Sequence, residues 1–127
     1  MKEGVLALII ALAVATPTAG QSMTPMRGEV TSFTDEFAVR IYSRNPYNHR
    51  VKVAVRVYDS DFKPIEARVS PSEMLLGGNA SRPVLVVVGF EGERERRVRI
   101  CTESVPFPNQ EVRVKGQVCG KFIARRR

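Results

Sequence analysis

The sequence predicts an all-β chain: an antiparallel β-sandwich of about seven strands, preceded by a signal-peptide helix. Three observations lead there. Valines alternate with polar residues in successive segments, and Pro, Gly and Asn punctuate those segments at roughly eight- to twelve-residue spacing. After position 20, no segment repeats apolar residues at the spacing of an amphipathic helix. The 127 residues leave room for one domain, and 43% hydrophobic with 26% charged residues describes a chain that packs a core.

Residues 1–20 begin with Lys2, run through an apolar stretch at 5–14 and end in small residues that include Thr18 and Gly20. That is the pattern of a signal peptide, with the cut expected before Gln21. The apolar stretch is about half the roughly twenty residues that a membrane-spanning helix needs. No integral membrane span is therefore expected after cleavage, and the mature chain is expected in the periplasm or secreted. Residues 21–27, rich in Ser, Thr, Pro and Met, read as a flexible leader, residues 28–123 as the sandwich and residues 124–127 as a basic tail.

Within the sandwich, residues 28–33 read as an edge-type strand. Residues 36–42 (EFAVRIY) follow, with Phe37, Val39 and Ile41 on the buried face. Asn45, Pro46 and Asn48 mark a loop. Residues 51–58 (VKVAVRVY) alternate most cleanly, and residues 59–64 (DSDFKP) break the strand. Residues 65–69 form a shorter strand that Pro71 ends, since proline cannot donate to a ladder. Met74, Leu75 and Leu76 are expected to plug the core beneath a turn at Gly77, Gly78 and Asn79. Residues 84–90 (VLVVVGF) are nearly continuous in apolar character, which predicts a central strand covered on both faces. Residues 91–97 read as a charged turn, 98–102 as a strand and 106–110 as a turn. The last strand, 111–118, sets Val112 and Val114 against Arg113 and Lys115.

Two cysteines, Cys101 and Cys119, remain after an export signal is removed. In an exported chain an even pair predicts a disulfide, and a hairpin centred near Gln110 would set the two positions opposite each other or within one step. Such a loop stabilises by about 3 kcal/mol on the chain-entropy model. The spacing is not that of a CxxC redox pair.

His49 is the only imidazole, no GxSxG occurs, and Asp59 and Asp61 share a polar loop. A nucleophile with a base and an orienting group cannot be assembled, so no enzyme is expected. Met23, Met26, Met74 and His49 are soft or borderline ligands and raise periplasmic copper binding as a reading, yet their spacing fits no metal site; no metal or cofactor is expected. The formal charge of +7 draws the chain toward anionic partners. Without Trp, with three Tyr and with no recognition helix, nucleic acid is not expected among them. An anionic envelope ligand or surface remains as an alternative partner, met by Arg94, Arg96, Arg97 and Arg99 with Arg125, Arg126 and Arg127.

From residue 45 to 88, the segments NPYNHRVKVAVRVYDSD and VSPSEMLLGGNASRPVLVVV resemble the N-terminal immunoglobulin-like domain of periplasmic pilus chaperones. There, too, an NP step, a valine-alternating strand, V-x-P, an apolar plug, a glycine turn and a further strand occur in this order. The resemblance implies an immunoglobulin-like sandwich. It also implies a protein partner in the cell envelope, bound through a sheet edge during assembly or stabilisation of envelope or surface structures. In that family a last strand with alternating apolar residues enters the partner, a role for which Val112, Val114 and Val118 are the candidates. A basic pair captures the partner's C-terminal carboxylate; Arg27 near the first strand, and Arg113 and Lys115 on the last, are the candidates. Pilus chaperones carry a second immunoglobulin-like domain, whereas one domain is expected here.

Overall fold

The computed structural model describes residues 22–105 and 116–127. The expected signal peptide, its cut before Gln21 and the turn at 106–110 lie outside the described residues, as do Val112, Arg113, Val114 and Lys115.

The described residues form nine strands: β1 (Ser22–Thr24), β2 (Arg27–Ser32), β3 (Glu36–Arg44), β4 (Val51–Tyr58), β5 (Arg68–Ser70), β6 (Glu73–Leu76), β7 (Ser81–Gly89), β8 (Glu95–Val105) and β9 (Gln117–Arg126). One sheet has the order β1-β3-β7-β5 and the other β2-β9-β8-β4-β6. The two-layer sandwich expected from the valine patterning, and its immunoglobulin-like form implied by the resemblance, are the observed architecture.

The alternation builds it directly. β3 is buried at every second residue, through Phe37, Val39, Ile41 and Ser43. Val51, Val53, Val55 and Val57 of β4 face it from the other sheet, and Val84, Val86 and Val88 of β7 with Val98 and Ile100 of β8 complete the layer between them. Phe37 and Phe90 close one end with ring centroids 5.0 Å apart. Each such aliphatic or aromatic side chain contributes about 1.5–3 kcal/mol on burial.

Several elements differ from expectation, each for a local reason. β2 pairs parallel with β9, so the second sheet is mixed rather than wholly antiparallel. Ser22–Thr24, expected as part of a flexible leader, is a strand on β3, held by Met23, which is 4% exposed. The expected basic tail is instead the end of β9, where Ala124 is fully buried. The apolar plug is the strand β6: Met74 and Leu76 turn inward while Leu75 is 52% exposed. Of the strand expected at 65–69, only residues 68 and 69 join the ladder, which continues to Ser70. β7 is central as expected, but one face is open, leaving Leu85 41% exposed on the outer side beside Tyr42.

Two buried polar contacts fix how the layers and loops meet. Asn45, fully buried, donates through Nδ2 to the carbonyls of His49, Leu76 and Gly77 and accepts the Tyr47 N–H through Oδ1. It thereby clamps the loop after β3 to the turn after β6. Ser43 and Thr102 join the two sheets hydroxyl to hydroxyl.

Candidate functional site

The candidate site is the border of the second sheet along β9. β9 pairs with β8 from Gln117 to Arg125, but on its other side β2 begins only at Lys121. Lys121 N–H donates outward to Met26 O at 2.9 Å. Backbone groups of alternate residues in a strand point the same way, so those of Gln117 and Cys119 also face outward. No strand among the described residues pairs with them.

The chain reaches β2 by crossing from the first sheet to the second just past this open stretch, and bare backbone at Gly120 lets it do so. A Cβ there would lie 2.6 Å from Met23 Cε and 2.9 Å from Met26 O. The second sheet is bounded by β2, of six residues, and β6, of four. β1 and β5 are three residues each, and Pro83 removes a donor from β7 beyond the reach of β5.

The open stretch is braced from the opposite side. Cys101 and Cys119 are directly opposite in the β8–β9 ladder and form a disulfide, S–S 2.03 Å, with Cα atoms 4.0 Å apart. The expected bridge is therefore present, at a close-spaced, non-hydrogen-bonded pair. One step further along, the Glu103 carboxylate, 4% exposed, accepts the Tyr58 hydroxyl at 2.8 Å and the Gln117 amide at 2.7 Å. It joins β4, β8 and β9. Burial, and then the hydrogen bond and negative charge of Glu103, hold the Tyr58 phenol above its ordinary pKa of 10.0.

At the point where β2 closes the border, Arg27 and Lys121 are register partners, both exposed on the outer face of the sheet. Of the cations considered for a basic pair, Arg27 is in place, and its neighbour is Lys121, which the sequence reading missed by ending the last strand at 118. The parity of the cysteines held the signal: Lys121 lies two residues beyond Cys119 and so faces the same way. Val118 turns to the core side and packs against it.

The remaining candidates are dispersed. Arg96 donates to Gly89 O at one end of the sandwich, and Arg126 pairs there with Asp35 at 2.7 Å. Arg97, Arg99 and Arg125 lie on the outer face of the second sheet, Arg94 in the exposed connection that passes from β7 of one sheet to β8 of the other, and Arg127 at the chain end. The seven arginines thus do not form one surface. Met23 and Met74 are core residues, Met26 is 42% exposed, and the His49 ring stacks on Tyr47 at 5.2 Å. Asp59 Oδ1 accepts the N–H groups of Asp61 and Lys63, a turn-forming role that holds its carboxyl below the usual range.

No protein-family model and no curated relative matches the sequence. Solved structures do match in fold. The complex of the SafA pilin with the SafB chaperone from Salmonella enterica contains a chain that superposes with a TM-score of 0.69 at 23% identity, over 88% of this chain and 57% of that one. The E. coli chaperone DraB matches with a TM-score of 0.70 at 21% identity, over 84% of this chain and 55% of DraB. The PapD-like domain 7 of human CEP192 matches with a TM-score of 0.62 at 12% identity, over 98% of this chain and 97% of that domain. The chain is thus similar to the N-terminal immunoglobulin-like domain of pilus chaperones and spans a little over half the length of the two chaperone chains.

Proposed function

We infer that this protein is an exported, non-enzymatic module that binds another protein by adding a strand to the open stretch of β9, in assembly or stabilisation of envelope or surface structures such as pili. One observation carries the reading: among the described residues no strand pairs with the border of β9 before Lys121, β2 occupies it after, and Arg27 and Lys121 mark the change.

A chain added beside residues 117–120 gains backbone hydrogen bonds there and must stop or leave where β2 begins. If it ran antiparallel to β9, its N-terminal ammonium would meet two cations. If it runs parallel, its C-terminal carboxylate meets them, a charge-assisted contact. The electrostatics therefore favour a parallel strand with a free C-terminus. The disulfide and the Glu103 contacts support this reading by keeping the receiving strand ordered before binding, which lowers the entropic cost of capture. The disulfide also fits an oxidising compartment, the periplasm or outside the cell.

The test is a photo-crosslinking residue placed at Gln117 in the native cell envelope. The reading expects crosslinks to the C-terminal segment of an envelope or surface protein. Crosslinks that are absent from Gln117, or no stronger than from a control placed at Leu75, would contradict it.

A further inference from the structure

We propose that the carboxylate site at Arg27 and Lys121 is extended by Arg99 into a three-cation row that selects a partner whose C-terminal residue is aspartate or glutamate. The proposal rests on the strand-capture reading above and adds to it the identity of the terminal residue.

The register places Tyr58, Arg99, Lys121 and Arg27 in one line across four strands, on the outer face of the second sheet. Directly opposite residues on one face have Cβ atoms about 4.5–5.5 Å apart, and like charges so placed repel. Elsewhere on this face the described cations are neutralised. Arg125 pairs with Glu95 at 3.2 Å and Glu29 at 3.4 Å, Arg97 with Glu95 at 3.6 Å, and Arg56 and Lys52 each with Glu73 at 3.6 Å. Arg27, Lys121 and Arg99 have no such partner among the described residues. The row is the part of the face whose positive charge is left for a ligand.

Arg99 is also held in advance. Its Nε donates to Ser60 O at 3.4 Å, and its Cζ lies 4.3 Å from the centre of the Phe62 ring. Phe62 is itself fixed in a tight turn, at φ 60°, by its N–H bond to Asp59 O. A stacked guanidinium loses less freedom on meeting an anion, and its two terminal nitrogens keep their donors. A single carboxylate satisfies the Arg27–Lys121 end. The α- and side-chain carboxylates of a terminal Asp or Glu are separated by Cα and one or two methylenes, a span that suits one strand spacing. Lys121 then sits between the two anions, with Arg27 and Arg99 outside them.

Fluorescence anisotropy on the purified protein tests this with one peptide of alternating valine and serine, made with C-terminal Asp or Asn, each as free acid and as amide. The expected result is that the Asp acid binds about tenfold more tightly than the Asn acid, roughly the 1.4 kcal/mol of one charged contact. R99Q should remove that difference while leaving the Asn acid within about twofold of the wild type, and R27Q should weaken both acids. Equal binding of the Asp and Asn acids, both tighter than their amides, would overturn the three-cation site and leave strand capture standing. Equal binding of acids and amides would overturn strand capture itself. An R99-dependent association with phosphatidylglycerol vesicles, without peptide selectivity, would assign the row to a lipid surface and overturn the proposal.

Discussion

Ser43 Oγ and Thr102 Oγ1 lie 2.7 Å apart, both fully buried, and form a hydroxyl bridge between β3 of one sheet and β8 of the other. Each hydroxyl sits at a position where the alternation of its strand demands an inward side chain, so each satisfies the other away from water. Removing one partner leaves a buried group unpaired, at a cost of about 1–3 kcal/mol. Ser43→Ala and Thr102→Val are each expected to destabilise by that amount in urea unfolding. The double variant is expected to lose less than the sum of the two.

Asn45 should be less tolerant still. Its amide serves three carbonyls and its oxygen one N–H. Asn45→Ala is expected to lower stability by about 2–4 kcal/mol, since several buried groups lose partners at once. Asn45→Asp is expected to be destabilised at neutral pH, where a carboxylate would face the carbonyls of Leu76 and Gly77, and to recover part of that loss in acid. Unfolding midpoints at two pH values check both.

Much of this architecture was legible in the sequence because a two-residue period has one physical meaning. Val51, Val53, Val55 and Val57 could be buried together only on a strand, and Cys101 and Cys119, expected opposite each other or within one step, are directly opposite. What stayed hidden depended on neighbours in space. The apolar run at Val84, Leu85 and Val86 does not reveal that one face of β7 lacks a cover. Ser22–Thr24 is too short to show a period, and it is a strand because Met23 finds a core position. The site was half legible: Arg27 was visible as a candidate, but Lys121 became its neighbour only through a parallel pairing between the two ends of the domain, which no local pattern encodes.

The disulfide should matter most to the candidate site's own strand. Reduction, or the pair Cys101→Ser with Cys119→Ser, is expected to lower global stability by about 3 kcal/mol. Urea midpoints with and without reductant measure it. An unchanged midpoint would mean that the bridge contributes nothing beyond the ladder itself.

Alkaline pH should act through Tyr58. Its pKa is raised in the folded protein, by burial first and by Glu103 next. For such a group the folded state holds the proton longer, so its contribution is present in full below the unfolded pKa of about 10. It is lost as pH rises through the folded value. Stability of the wild type is therefore expected to fall more steeply above pH 10 than that of Tyr58→Phe, as thermal melts across that range would show.

The most direct measurement of the account is amide hydrogen exchange, read residue by residue, with and without a valine–serine peptide bearing a free C-terminal carboxylate. The Gln117 and Cys119 N–H groups are expected to become protected on binding, with Arg27→Gln weakening the peptide. Protection elsewhere on the sandwich, with those two amides exchanging as fast as before, would contradict strand addition at β9.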